Sequence, residues 1–94
     1  MKNKSELVIS KYGSKAWYLN GKLHRINGPA VKCAYGNKYW YLNGKLHRED
    51  GPAIENSNGD KSWYLNGKQV KEEDLINYNI TEREYIDFII KKLL

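Results

Sequence analysis

Two His-Arg pairs, His24-Arg25 and His47-Arg48, are the side chains of this sequence best suited to chemistry, and they lie 23 residues apart. Two histidines could act as general acid and general base in metal-independent phosphodiester cleavage, which needs them on opposite sides of the phosphate. Units repeated by translation place equivalent side chains on one side, about 10 Å apart for two strands spaced about 4.8 Å each. We therefore predict no enzymatic activity, and histidines that brace the joints between units through hydrogen bonds to turn backbone.

The single cysteine, Cys33, excludes an internal disulfide, and the equivalent position one unit later is Asn56. Cys33 and two dispersed histidines also lack the ligand spacing of a structural zinc site. The sequence thus predicts no catalytic residue, no metal site and no cofactor.

Basic and aromatic residues recur at fixed positions. Residues 1–70 carry 12 Lys or Arg against 5 Asp or Glu, residues 71–94 carry 4 against 6, and the net charge is +5. Such a field favours anionic partners, and arginine binds phosphate or carboxylate with two parallel hydrogen bonds. Ion pairs such as Arg48 with Asp50 are the alternative for the arginines. The predicted contacts with a phosphate-bearing ligand or an acidic protein surface are Arg25, Arg48, Tyr18, Tyr41, Lys22 and Lys45.

These residues belong to a repeat: WYLNGKLHR occurs at 17–25 and 40–48, and its first six letters return at 63–68. A fixed period of this length indicates an array of small stacked units. Asn-Gly suits a type I′ hairpin turn, and the Gly-Ser, Gly-Asn and Gly-Asp pairs before each Trp suit type II′ turns. The sequence predicts an antiparallel β-meander of about three 23-residue hairpin repeats over residues 6–70, opening with half a repeat.

Strand alternation places Trp17 and Leu19 on one face and Tyr18 on the other. Because the Trp and Leu positions are identical in all three units, we predict that this face is the core. The tyrosine face is either a ligand platform or the second side of a half-exposed sheet. Gly-Pro-Ala breaks the strand and forms a joint between units, and both His-Arg and Gly-Pro-Ala are missing from the third unit.

From Lys71 onward the apolar spacing becomes that of a helix. Acidic residues at 72–74 suit the start of a short helix, and Thr81 with Glu84 forms a capping box for a longer one from about Glu82. Its apolar residues cover an arc on the order of 240°, more than one packing face needs. We expect them to cap the sheet and to mediate homo-oligomerisation, through Tyr85, Phe88, Ile89, Ile90, Leu93 and Leu94.

The predicted class is therefore α+β, with one domain over residues 1–94 made of the repeats at 6–70 and a helical cap at 71–94. The amino terminus lacks the apolar run of about 7–15 residues of a secretory signal, and no stretch approaches the ~20 apolar residues of a membrane span. We expect a soluble protein of the cytoplasm, or of the host cytoplasm if it is viral.

The run WYLNGKLHREDGPAI at 40–54, with GD or GN before the next WYLNG, resembles a repeat of small proteins of bacteriophages, giant viruses and some bacteria. Its period and its N-G-K-x-H core are similar to a divergent MORN repeat, a β-hairpin repeat. In MORN repeats a glycine follows the histidine, whereas Arg25 or Arg48 does here, and Gly-Pro-Ala is inserted. MORN-type repeats serve as scaffolds, dimerisation elements and phospholipid contacts.

For a small phage protein the resemblance implies host takeover or anti-defence, by blocking a bacterial defence protein or sequestering a nucleotide signal. We therefore expect a non-enzymatic repeat binding module that acts as such an inhibitor. One alternative is a basic single-stranded nucleic-acid-binding protein, because tyrosine and arginine on a basic sheet suit stacking on bases. The other is a MORN-like scaffold or dimerisation module.

Overall fold

A computed structural model describes residues 4–76 of the chain. Antiparallel strands dominate this part, and residues 72–76 are helical. The strands are β1 (Ser5–Ile9), β2 (Lys15–Leu19), β3 (Lys22–Leu23), β4 (Val31–Lys32), β5 (Lys38–Tyr39), β6 (Tyr41–Leu42), β7 (Lys45–Leu46), β8 (Ile54–Glu55), β9 (Lys61–Leu65) and β10 (Lys68–Val70). The predicted β-meander followed by a short helix is confirmed. The longer helix predicted from Glu82, with its oligomerisation residues, lies outside the described residues.

The strands form a sheet of order β1-β2-β4-β5-β8-β9-β10, with β3 beside β2 and with β6 and β7 paired separately. On the side away from β1, strand β2 pairs along one half with its own hairpin partner and along the other half with the next strand of the sheet. Tyr18 pairs with Leu23 of β3, whereas Ala16 pairs with Val31 of β4. No helix in the described part of the chain is long and apolar enough to span a membrane.

The Asn-Gly turns have the predicted type I′ geometry, in which both central residues have positive φ. Asn43 has a φ of 51° and Gly44 of 81°, and the pairs at 20–21 and 66–67 repeat these values within a few degrees. Asparagine and glycine adopt this left-handed region at low cost. The residue types at these positions therefore determine where each hairpin reverses.

The other hairpin turns differ from the predicted two-residue type II′ turns. Ser10 and Ser14 close a three-residue loop, in which Ser10 N donates to Ser14 O (2.8 Å) and Gly13 N donates to Ser10 O (3.0 Å). The same two bonds recur around Gly36 and around Gly59. Each glycine closes the loop in the left-handed region, as in a turn followed by a glycine bulge. Sequence reasoning expected a turn at Gly13-Ser14 that begins with the glycine. The loop instead comprises residues 11–13, and the glycine is its last residue.

The interior of this sheet is thin. Within residues 4–76 only Ala30, Ala53 and Leu75 are buried, with exposures of 0%, 0% and 4%. The tryptophans predicted to form the core are half-buried. The two alanines belong to the Gly-Pro-Ala joints, where their carbonyls accept from the backbone N–H of the tryptophan that begins the same unit, at 2.8 Å. The joints, folded back against the tryptophan strands, are thus the most enclosed part of the sheet.

We expect Gly44→Val to lower the free energy of unfolding by more than about 1 kcal/mol, because a β-branched residue at positive φ is strained. Space is not the cause, since a Cβ at Gly44 would lie 3.7 Å from the nearest atom of Lys22, an ordinary contact. Gly44→Asn is the matched control and should retain most of the stability. Urea unfolding of the two variants measures the difference, and equal midpoints would contradict the backbone explanation.

Candidate functional site

Both arginines of the repeat lie flat on tryptophan rings. The guanidinium carbon of Arg25 is 3.8 Å from the centroid of the Trp17 ring, and that of Arg48 is 3.9 Å from Trp40. Each guanidinium also donates through Nη1 to the proline carbonyl of its joint, at 3.2 Å in the first unit and 3.0 Å in the second. The arginine therefore ties the Gly-Pro-Ala joint to the tryptophan beneath it.

The glycine of each joint leaves the space that the guanidinium fills. A Cβ at Gly28 would lie 3.2 Å from Cζ of Arg25, and one at Gly51 would lie 2.8 Å from Cζ of Arg48. An alanine at either position would require the guanidinium to shift, by a few tenths of an ångström in the first joint and by more in the second. In the third unit the arginine and the glycine of this contact are both replaced, by Lys71 and Asp74.

The histidines hold the next unit in place, as hydrogen-bond acceptors. His24 Nδ1 accepts from the backbone N–H of Asn43 at 3.0 Å, and His47 Nδ1 accepts from that of Asn66 at 2.9 Å. The bonds reach the Asn-Gly turn of the following unit, not the Gly-Pro joint that sequence reasoning favoured. Because Nδ1 is the acceptor, the proton of the neutral ring is on Nε2, which in His47 lies 3.5 Å from Glu49 Oε1. Val70 takes the histidine position in the third unit.

The two arginine joints differ in charge. Arg48 Nε donates to Asp50 Oδ1 at 2.9 Å and its Nη1 lies 3.3 Å from Glu55 Oε2, which is the ion-pair alternative considered from the sequence. The positions equivalent to Asp50 and Glu55 in the first unit are Asn27 and Lys32. Within residues 4–76 no carboxylate lies within 4.0 Å of the Arg25 guanidinium. The second joint is neutralised, and the first is cationic.

Three lysines stand opposite one another across neighbouring strands next to the first joint. Lys32 of β4 pairs with Lys15 of β2 on one side and with Lys38 of β5 on the other. Directly opposed residues share a face, with Cβ atoms about 4.5–5.5 Å apart, and like charges in that arrangement destabilise a sheet. All three lysines are exposed.

Arg25 lies on the same face as these lysines. Lys15 and Trp17 are two residues apart in β2 and so share a face, and the guanidinium covers Trp17. By the equivalence of the two units, Lys32 stands beside Arg25 where Glu55 stands beside Arg48. We call this group the cation cluster, defined by Arg25, Lys15, Lys32 and Lys38.

A surface groove adjoins the cation cluster, with a volume of about 690 Å³. Its walls come from the first joint, with Arg25 and Ile26, and from the second, with Arg48 and Glu49, and Trp40 lies between them. Ile26 is 79% exposed and can contact an apolar group of a ligand. The groove thus combines the apolar surface of Ile26 and Trp40 with two guanidinium groups and with the carboxylates of Glu49 and Asp50.

The other predicted contacts lie elsewhere. Tyr18 follows Trp17 in β2 and therefore points to the opposite face. Tyr41 lies near Tyr39 and Tyr64. The stems of Lys22 and Lys45 lie at the Asn-Gly hairpins, where they would be 3.7 Å from a Cβ on the glycine of the next turn.

Of the six predicted contacts, Arg25 is the one that belongs to the cation cluster. Sequence reasoning did not single out Lys15, Lys32 and Lys38. A lysine does stand two residues before Trp17 and Trp40, but the opposition of these charges depends on strand register.

Residues 4–76 contain no group of three or more His, Cys, Asp or Glu side chains placed to hold a metal ion. Comparisons with family models, curated proteins and solved structures found no match to this chain.

Burial raises the pKa of Tyr41, and the neighbouring Tyr39 and Tyr64 raise it further. A raised pKa means that the unfolded chain loses the phenol proton at a lower pH than the folded chain does. Folding stability from this group is therefore constant below the ordinary tyrosine value of about 10 and falls as the pH rises above it.

We expect Tyr41→Phe to flatten the loss of stability between about pH 9 and pH 11, because the substituted side chain no longer titrates. Tyr12→Phe, at a side chain that is 81% exposed, is the control and should leave the alkaline slope as in the parent protein. Thermal unfolding at a series of pH values measures both slopes. Parallel curves for the parent and Tyr41→Phe would show that Tyr41 does not govern the alkaline loss.

Proposed function

We propose that the protein is a non-enzymatic binding module that captures a phosphate-bearing ligand with the cation cluster. The observation that carries this proposal is the charge contrast between the two joints. Arg48 pairs with Asp50 and Glu55. The equivalent positions in the unit of Arg25 are Asn27 and Lys32, and Lys32 is opposed by two further lysines. Glu55 stands at the position equivalent to Lys32, so the fold accepts an acidic residue there and the charge of Lys32 is not required for folding.

The chemistry of the cation cluster suits phosphate. An anion bound between opposed lysines relieves the repulsion that destabilises the free sheet. Arg25 offers a planar fork for two parallel hydrogen bonds to phosphate oxygens. Its stacking on Trp17 and its bond to the Pro29 carbonyl fix the guanidinium before the ligand arrives, which reduces the entropy lost on binding.

The resemblance to phage repeat proteins suggests the setting for this activity. We propose three MORN-like units used as a phage-encoded inhibitor in the host cytoplasm, where the module sequesters a nucleotide signal of a bacterial defence system. The groove of about 690 Å³ beside the cluster supports a nucleotide, because it adds apolar surface for a base. Capture of a ligand without turnover requires only binding residues.

We expect Arg25→Ala to weaken binding of tripolyphosphate and of ATP about 10- to 100-fold at about 50 mM salt, since a bond to a charged group contributes roughly 1.5–3 kcal/mol. Arg48→Ala is the matched control, because it removes the same tryptophan stack and proline bond but at a neutralised joint. Its affinity for tripolyphosphate, which has no base to enter the groove, should stay within a factor of about three. Isothermal titration calorimetry measures both variants, and their melting temperatures verify that both are folded.

Charge exchange at one position tests the contrast directly. Lys32→Glu recreates the ion pair that Arg48 makes with Glu55, and it should abolish binding while leaving the melting temperature unchanged or raised. Glu55→Lys should do the reverse and add a second site to the titration. Equal losses in Arg25→Ala and Arg48→Ala, or no binding of either probe to the parent protein, would refute the proposal.

Single-stranded nucleic acid is the second candidate, because the lysines cross three strands in a line. The number of phosphates bound distinguishes a small phosphate-bearing ligand from single-stranded nucleic acid. For a single strand the logarithm of the affinity falls with the logarithm of salt concentration by about 0.7 per phosphate contacted. A thymidine oligonucleotide that binds more tightly than tripolyphosphate, with a slope of more than about 2, would favour the nucleic-acid function.

A further inference from the structure

Within residues 4–76 the sheet ends on β1, which has no neighbouring strand on its outer side. This strand pairs with β2 alone, and all five of its residues are exposed. Three of them are large and apolar: Leu7 is 48% exposed, Val8 44% and Ile9 59%. An exposed strand of this kind is a template for pairing with another chain.

The hydrogen-bonding groups on the free side of β1 can be identified from its pairing. Asn20 N donates to Lys4 O, and Ser10 N donates to Ser14 O, so Lys4 and Ser10 face β2. Hydrogen-bonded and non-hydrogen-bonded residues alternate along an antiparallel strand. Ser5, Leu7 and Ile9 consequently direct their N–H and C=O groups away from the sheet, and no residue at 4–76 pairs with that side.

Interior strands that correspond to β1 do not have a free side. β4 lies between β2 and β5, and β8 lies between β5 and β9. Natural edges are usually protected by lysine, proline or a bulge. The sequence Ser5–Ile9 contains neither residue, and its one-to-one register with β2 has no bulge. The first strand of the array is thus shaped like an interior strand.

We propose that β1 pairs antiparallel with β1 of a second copy, about a two-fold axis at Leu7. This register places Leu7 opposite Leu7 of the second copy and Ser5 opposite Ile9. All outward backbone groups of the strand then find partners. Glu6 falls opposite Val8, so no like charges are opposed, and the apolar row from Trp17 to Leu7 continues across the axis to the same residues of the second copy.

The opposite end of the sheet does not offer an equal partner. β10 has three residues and leads directly into the helical residues 72–76, where Leu75 is 4% exposed. A two-fold pairing of β1 with itself closes after two copies, whereas joining β1 to the other end would form an open chain of subunits. The exposed apolar strand and its self-complementary register therefore favour a second copy as the occupant.

Cysteine cross-linking tests the register. In a Cys33→Ser background, oxidation should cross-link Leu7→Cys, because Cα atoms of a hydrogen-bonded pair are about 5.5 Å apart, within the range of a disulfide. Ser5→Cys alone and Ile9→Cys alone should remain uncross-linked, because each lies about four residues, or roughly 13 Å, from its own equivalent. A mixture of these two variants should cross-link.

Sedimentation tests the interface without any cross-link. The parent protein should show twice the 11.0 kDa of one chain at high concentration, and since a five-residue strand pair is a small interface, measurements should extend to roughly 500 μM. Leu7→Lys opposes two charges at the axis and should return the mass to one chain. Val8→Lys places lysine opposite Glu6 of the second copy and should retain the dimer, with circular dichroism showing that both variants fold.

Three results would overturn the proposal. The first is a parent protein of single-chain mass at the highest concentration. The second is a cross-link between Ile9→Cys and Lys61→Cys, which would show an open head-to-tail array. The third is a dimer that survives Leu7→Lys and fails to cross-link through Leu7→Cys, which would move the interface to another surface, such as the predicted residues from Tyr85 to Leu94.

Discussion

The stacking of arginine on tryptophan is the contact on which the joints of this sheet depend. Trp17 and Trp40 are only half-buried, because one thin sheet cannot enclose them. The guanidinium carbon lies 3.8–3.9 Å from the centroid of each ring, and the guanidinium also binds the joint above it. A charged group therefore shields the ring from solvent, where an apolar side chain would do so in a thicker core. Such a contact contributes about 0.5–2 kcal/mol. The joint glycine, three residues after the arginine, leaves room for the guanidinium, since a Cβ there would lie 3.2 Å from Cζ in the first joint and 2.8 Å in the second.

The proposed phosphate site uses one of these two stacked guanidinium groups. Arg25 and Arg48 have the same ring and the same proline carbonyl as partners, so their structural contributions are nearly equal. They differ in the residues that surround them. Asp50 and Glu55 neutralise Arg48, whereas Asn27 and Lys32 take their positions in the unit of Arg25. In a repeat, every unit can keep the same structural contact. A unit in which only the residues around that contact differ can then bind a ligand that the other units do not bind.

The sequence predicted the features that depend on local backbone conformation. Asn43-Gly44 specifies its turn because few other residues tolerate those φ values. The loop at Gly36 was misassigned, because a glycine at positive φ can either open a two-residue turn or close a three-residue loop. The cation cluster was beyond sequence reasoning for a different reason. Lys32 and Lys38 oppose each other only in one register, and a shift of one residue would put them on opposite faces.

An array of this kind gains stability mainly from interfaces between neighbouring units, so its ends have the fewest stabilising contacts. The helical residues 72–76, with Leu75 buried, follow the last strand. No residue of the described range 4–76 covers the outer side of β1, and pairing with a second copy would give this strand the second neighbour that β4 and β8 already have. Lys15 stands opposite Ile9 of β1, on the face that would continue across the axis. Two cation clusters would then share one face of a single sheet. A ligand with two separated phosphates that spans both clusters would bind more tightly than a ligand with one, because its second phosphate would be held at a high effective concentration near the second cluster.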